Sequence, residues 1–357
     1  MNKKVYYSNI FAFLFFISST LFAQEKVADS TSTSAIIEAH TGEEDAHGEV
    51  AEAFNPGKMM MEHIADEHEW HFATNGHTHY SIPLPCIVYN QGGWKVFSSS
   101  KFKNEHHEEI PYEGLKLEEG KIVAEDGSFV LDLSITKNVA SLFISLFLLL
   151  AIFFTIAKSY KQRVGKAPKG LQSFFELIIV FIRDEVAKEN IGEKHYRRFL
   201  PYLLTLFFFI LFNNILGLLP GSANVTGNIA VTLVLATIAF FVTNLNGRST
   251  YWGHIFAMPG VPKWLLILLT PVEIIGVFMK PISLMIRLFA NITAGHLILL
   301  SLIALIFIFK SLGVAAIAVP FSLFMNLIEI LVAFLQAYIF TVLTSTYIGA
   351  AVEEAHH

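Results

Sequence analysis

Residues that hold fixed charge or pass protons recur at helical spacing in the apolar C-terminal third of this sequence. Glu273, Lys280 and Arg287 stand seven residues apart, a step that drifts only about 20° round a helix and so keeps all three on one face. Asn291, four residues after Arg287, stays near that face, while His296 swings about half a turn round. In the next apolar segment Asn326, Glu329 and Gln336 also share a face. Consecutive spans run antiparallel. Arg287 to His296 covers about 13.5 Å of one helix, and Glu329 to Gln336 about 10.5 Å of the other. The spacing therefore predicts Arg287 level with Gln336, and His296 level with Glu329. One layer is permanently cationic; the other is an imidazole–carboxylate pair nearer the outer side. Histidine titrates near neutrality and a buried glutamate can be raised to do so, whereas arginine keeps its proton. Such an arrangement suits a proton path that stops at a fixed charge.

Bland readings stand beside this one. An arginine within the bilayer costs from about 2.5 to more than 10 kcal/mol, depending on the scale, and a structural ion pair of Arg287 with Glu273 or Glu329 would relieve that cost. His296 and Glu329 would equally make a static interhelical hydrogen bond. Lys280 would snorkel toward the cytoplasmic interface. Asn213, Asn214, Asn224, Thr226 and Asn228 flank a Pro220-Gly221 turn and read mostly as caps, with Asn214 the one placed to line water.

The elements that must carry these residues are membrane spans. Of 357 residues, 54% are hydrophobic and 15% charged, which excludes a simple soluble globule. Phe199–Gly247 holds no Asp, Glu, Lys or Arg, and Trp264–Val352 holds only Glu273, Lys280, Arg287, Lys310 and Glu329. Charge-poor stretches of this length mean several crossings. The expected spans are Val139–Ala157, Phe199–Leu219, Ile229–Leu245, Trp264–Phe309 and Gly313–Gly349. The last two would be about 69 and 55 Å long as continuous helices, against a bilayer core of about 30 Å. Each is therefore broken or steeply tilted, and Pro271, Pro281 and Pro320 permit bends without deciding it. Residues 171–182, LQSFFELIIVFI, are too short to cross and read as an interfacial or re-entrant helix. The fold class is thus an all-α polytopic membrane protein of about five membrane helices plus one interfacial helix.

Ten Lys/Arg lie between Lys158 and Arg198, so that loop is cytoplasmic by the positive-inside rule, with the N-terminus outside and the C-terminus in the cytoplasm. Residues 1–23 read as a signal peptide: Lys3 and Lys4 precede an apolar core ending at Ala23. Residues 24–137 carry 21 acids and 8 bases, and residues 138–357 carry 9 and 15; the first group reads as an extramembrane, periplasmic extension, the second as the membrane domain. Within the extension, MMMEHIADEHEWHF suggests a short amphipathic helix. SIPLPCIVYN and GGWKVFSSSKF suggest strands across a Gln-Gly-Gly turn, and residues 120–138 a hairpin with Asp126-Gly127 at its tip. His68 and His71, at i and i+3, are a conceivable metal pair, but HEWHF is not the HExxH zinc signature, and a solvated acidic/His-rich surface is the default. Cys86 is the only cysteine, so no intrachain disulfide forms.

PISLMIRLFANITAGHLI followed by LQAYIFTVLTSTYIGAAVEEAHH resembles subunit a of F-type ATP synthases, the membrane stator subunit. The likeness runs from about residue 135 to the C-terminus and includes FNNILGLLPG, TGNIAVTLVLA and Glu273 fourteen residues before the arginine. It implies that Arg287 is the family's essential arginine with Gln336 as its neighbour, and that the last two helices are long, tilted and curved round a ring of c subunits. Many family members carry an acid where this chain has His296 and a histidine where it has Glu329, so the pair looks exchanged here. Asn214, His296 and Glu329 would belong to an outer half-channel, Glu273 to a cytoplasmic one, with Asn291 beside Arg287. The implied partners are the c-subunit ring, the b-subunit peripheral stalk, the catalytic head, protons and membrane lipid. No nucleic acid, metal or cofactor is expected, and the absence of a G-x-x-x-x-G-K-[ST] loop leaves ATP chemistry to partner subunits. A secondary transporter, the competing class, would show an inverted internal repeat, and none is visible.

Overall fold

The computed structural model describes residues 66–75, 78–104, 110–118, 120–219, 222–258 and 261–353. The expected signal peptide and the Pro220-Gly221 turn lie outside the described residues.

Seven short strands precede the helices: β1 (Glu69–Asn75), β2 (Thr78–Pro83), β3 (Pro85–Asn90), β4 (Gly93–Ser98), β5 (Leu115–Glu118), β6 (Lys121–Ala124) and β7 (Leu131–Asp132). All pairings are antiparallel: β1 with β2, β3 between β4 and β7, and β5 with β6. The strands across the Gln91-Gly92 turn form as expected. Two other expectations fail. Glu69–Asn75 is strand where a helix was expected, because the next segment, Thr78–Pro83, offers it an antiparallel partner, with a register shift between His71 and Ala73. Residues 121–124 pair with the preceding β5, not across Asp126-Gly127; that turn instead delivers Leu131–Asp132 to β3. Alternation along these strands turns Cys86, Val88, Leu115, Ile122 and Ala124 inward, and with Phe102 they make a small core.

The extension is stitched to the first span. Helix α1 (Lys137–Gln162) starts four residues after β7. Asp66 accepts hydrogen bonds from the Asn138 backbone N–H and the Thr136 hydroxyl, both at 3.0 Å, and Lys137 N–H donates to Glu67 O at 2.9 Å. These bonds satisfy donors that a helix start leaves open. His68, buried, bonds Asp132 Oδ2 at 2.9 Å through Nε2. The backbone of His71 lies in strand β1, so it shares no helix with His68.

Beyond the basic loop, α2 (Leu171–Phe181) leaves Leu171, Phe174, Leu177 and Phe181 exposed along one side and buries Gln172 and Phe175. It continues into a π-helical stretch, Ile182–Lys188, and a last turn, Glu189–Ile191. Helix α3 (Tyr196–Gly217) returns across the bundle; a 3-10 turn, Val225–Gly227, leads into α4 (Ile229–Leu245), and α5 (Ser249–Phe256) bends 103° away. Helices α6 (Lys263–Phe309, 47 residues) and α7 (Leu312–Val352, 41 residues) are each continuous. Pro271, Pro281 and Pro320 lie inside them, so the prolines do not break either helix. At about 1.5 Å per residue they run roughly 70 and 60 Å, far beyond a bilayer core of about 30 Å. Among the described residues α1, α3, α6 and α7 are long and apolar enough to span, with α4 and α5 a fifth candidate taken together. The chain is a polytopic all-α membrane protein with a small β-containing N-terminal region. In the main buried cluster of the helices Phe207, Phe208, Ile210, Leu288 and Phe340 are almost wholly buried, and a second cluster joins Ile191, Phe199 and Leu203 to Ile348.

Candidate functional site

Helices α6 and α7 lie antiparallel, and two side-chain contacts give their stagger. Asn291 Nδ2 donates to Gln336 Oε1 at 3.1 Å, and the Lys280 ammonium lies 5.3 Å from the Tyr347 ring centre. Each contact is eleven residues from the other on both helices, so one register holds throughout. It sets Gln336 level with Asn291 and Phe340 level with Arg287. The expected Arg287–Gln336 layer is therefore displaced by about one helical turn, roughly 6 Å. Counting residues fixes distances along each helix but not the slide between them; that is decided by packing, with Leu284, Leu288 and Ile292 of α6 and Ala337 and Phe340 of α7 in one buried cluster.

Glu329 is buried, at 6% exposure. A Cβ placed on Gly295 would lie 3.2 Å from Glu329 Oε1, so the carboxylate sits against the backbone immediately before His296. Glu329 and half-buried His296 thus come to nearly the same level. Glu329 Oε1 has no protein hydrogen-bond partner among the described residues, nor have the buried Ser322 Oγ, one heptad before it, and Asn213 Oδ1.

Arg287 is exposed, on a strip of α6 with the exposed small residues Ser283, Ala290 and Ala294 and the exposed end of Asn291. Among the described residues it makes no ion pair with Glu273, Glu329 or any other acid. The reading of Arg287 as a structural charge paired within this chain is not what the structure shows. Glu273 is half-buried two heptads away on α6, about 21 Å along the axis.

Asn214 has both ends of its amide occupied. Its Nδ2 donates to Ala333 O at 3.1 Å, and its Oδ1 accepts from the Thr226 hydroxyl at 2.7 Å. It clamps α3 to α7 one turn from Glu329, so it positions a neighbour more than it lines water. Thr226, with no exposed surface, rides on the 3-10 turn that Asn224 caps through Gly227 N–H at 3.0 Å. A Cβ on Gly227 would fall 2.6 Å from Asn224 Nδ2 and would push that capping side chain aside. Asn228 caps α4 through Ala230 N–H at 2.9 Å, as its position suggested. Ser322 was passed over in the sequence, and Thr226 was read only as one of the capping residues. Ser322 had a signal, lying seven residues before Glu329; Thr226 had none beyond its place in a turn.

Comparison with known proteins agrees with this architecture. The family model described as ATP synthase A chain matches residues 139–349, and a second, Domain of unknown function (DUF8433), matches residues 59–140. The chain is 46% identical over 239 residues to ATP synthase subunit a of Chloroherpeton thalassium, covering 65% of this chain and 70% of that protein. It is 41% identical over 327 residues to ATP synthase subunit a of Chlorobium phaeobacteroides strain DSM 266, covering 90% of this chain and 81% of the relative. Identity to ATP synthase subunit a of Anaeromyxobacter sp. strain Fw109-5 is 39% over 317 residues, 84% of this chain and 71% of the other. The matches of more than 300 residues run well into the extension. With an unbroken α6–α7 pair carrying Arg287, and a family match across most of the spans, this chain belongs to the ATP synthase A chain family, as a subunit a of F-type ATP synthase.

Proposed function

We propose that this chain is the proton-translocating stator subunit of the synthase membrane sector, with two offset half-channels separated by Arg287. What carries the reading is Arg287 itself: a permanent charge on the outward face of a spanning helix with no acid among the described residues to pair it. A guanidinium there needs a partner from outside the chain, and a carboxylate on a passing ring of c subunits supplies one. The small residues beside it, Ser283, Ala290 and Ala294, leave room for close approach.

Protons from the periplasm reach the ring carboxylate along the outer half-channel. Glu329 and His296 relay them, Asn214 and Thr226 hold the α3–α7 junction beside Glu329, and the partnerless polar atoms of Ser322 and Asn213 suit a hydrated path. A protonated carboxyl is neutral and can turn into lipid, whereas an ionised one would have to be desolvated at a cost of several kcal/mol. After nearly a full rotation it loses its proton to the inner half-channel, to which we assign Glu273, and is attracted to Arg287. Gln336 and Asn291, bonded to each other, brace the arginine's turn of α6. Because Arg287 never gives up its proton, it blocks direct leak; each charge crossing the membrane supplies about 2.3 kcal/mol per 100 mV.

The same reading puts the protein in the inner (cytoplasmic) membrane, with the extension of residues 24–137 in the periplasm and the C-terminus in the cytoplasm. The b-subunit stalk holds it against the catalytic head, and no covalent chemistry occurs in this chain. The test is Arg287→Ala in vesicles carrying the whole complex. Coupled ATP synthesis should fall to background while passive proton flux rises; coupling that survives would overturn the assignment.

A further inference from the structure

Seven residues before Arg287, toward the basic loops, Lys280 closes a cleft between four helices. Its walls include Phe240, Thr243 and Asn244 from α4, Tyr251 from α5 and Tyr347 from α7, and it has room for a water molecule. Most polar groups there are already partnered: Tyr251 OH donates to Asn244 Oδ1 at 3.1 Å, and Asn244 Nδ2 donates to Phe240 O at 2.8 Å. Two are not. Thr243 Oγ1 is buried without a hydrogen-bond partner among the described residues. Lys280 has the Tyr347 ring face but no ion pair among them. The other titratable or charged groups around the cleft are Tyr251, Tyr347 and, along α6 itself, Glu273 and Arg287; α4 brings only neutral side chains. An ammonium against the Tyr347 ring, lining a mostly apolar, water-sized cleft one heptad from Arg287, is not snorkelling. It is directed into the bundle.

We propose that Lys280, seated in the cleft it shares with Thr243 and Tyr347, is a second cationic residue of the inner half-channel that keeps the passing carboxylate ionised on its cytoplasmic side. The inference rests on the half-channel reading above. A cation beside a carboxylate favours the ionised form, so Lys280 promotes proton release to the inside and opposes recapture. Lys280 lies about 10.5 Å along the helix from Arg287. A unit charge at about 10 Å, in a medium of effective dielectric near 20, moves a titration by about one pH unit.

The experiment uses vesicles carrying the assembled complex, with ATP synthesis driven by a fixed imposed gradient while the pH on the cytoplasmic face is varied. In Lys280→Gln the carboxylate should hold its proton to higher pH. The acid-side fall-off in synthesis should then shift upward by about 0.5–1.5 pH units, and Lys280→Arg should restore the original midpoint. Lys280→His, neutral above about pH 6.5, should follow the Gln variant in that range and decides the matter if the Gln variant fails to assemble. A midpoint that stays put in an assembled, coupled neutral variant overturns the role of Lys280, even if the rate falls, since a purely structural lysine would change amount or rate alone. The half-channel reading fails separately, through retained coupling in Arg287→Ala.

Discussion

Thr226 illustrates how much one hydroxyl can carry at the residue scale. Its O–H donates to Asn214 Oδ1, and Asn214 in turn bonds the Ala333 carbonyl of α7, in a place with no exposed surface. Thr226→Val keeps the shape but leaves a buried acceptor without a donor, at a cost of about 1–3 kcal/mol. The purified complex should lose several degrees in its thermal midpoint, while Thr226→Ser should not; equal behaviour of the two would show that the hydroxyl is idle. Asn214 is the residue that spacing read least well. An asparagine before a helical turn of apolar residues looked like part of a water-lined path, and its amide turns out to be filled by protein partners. Arg287, by contrast, stood out in the sequence as a guanidinium in a charge-poor stretch, and the structure places it on the exposed strip of α6.

At the scale of elements, the π-helical stretch after α2 meets the end of α7. The Val186 carbonyl in this stretch accepts from Ser345 Oγ at 3.0 Å and Asn190 Nδ2 at 2.8 Å, besides the Glu189 backbone N–H. Gly349 packs directly on the Asn190 carbonyl, and a Cβ there would lie inside that oxygen's van der Waals shell. Gly349→Ala should therefore force α7 off this seat, destabilising by about 1–3 kcal/mol or more and lowering the membrane content of assembled complex. Ser345→Ala leaves Val186 O with its other two donors and should cost only about 0.5–1.5 kcal/mol. Quantitative blotting of membranes from the two strains separates them; a normal level in Gly349→Ala would mean the contact yields. Spans were readable from hydropathy, α4 to the residue, since each buries apolar side chains whatever its neighbours do. The α6–α7 stagger, the π-helical stretch and the pairing of β5 with β6 were not, because all three are settled by contacts between segments and leave no periodic trace within either one.

On the scale of the whole molecule, the β-containing region and the helices are joined without slack. Asp66 and Glu67 bond the first turn of α1, and β7 enters that helix after four residues. One pair in this joint gives it a pH signature. Burial pushes the Asp132 carboxyl up, but its hydrogen bond to His68, that imidazole's charge and the bonds from Ser134 outweigh this, leaving it below its ordinary value of 3.8. A carboxyl lowered on folding stabilises above its unfolded pKa, and that contribution disappears as pH falls through the folded value. The joint should thus hold from neutrality down to about pH 4 and loosen below it. Limited proteolysis of the extension at graded pH would read this, and Asp132→Asn should remove that part of the acid-side loss; an unchanged acid limb would show that the pair does not matter.

Cys86, fully enclosed in the small β core, has a further use. Burial, with the Asp132 charge beside it, pushes its thiol up to about 11, and only the thiolate reacts. The sole native sulfhydryl is therefore chemically silent at neutral pH, and maleimide should leave the folded chain unmodified. A cysteine introduced at Ser283, Ala290 or Ala294, on the exposed strip beside Arg287, would then be the one reactive handle in the polypeptide. A crosslinker attached there records, without background from this chain, which surface passes in front of the arginine and at what step.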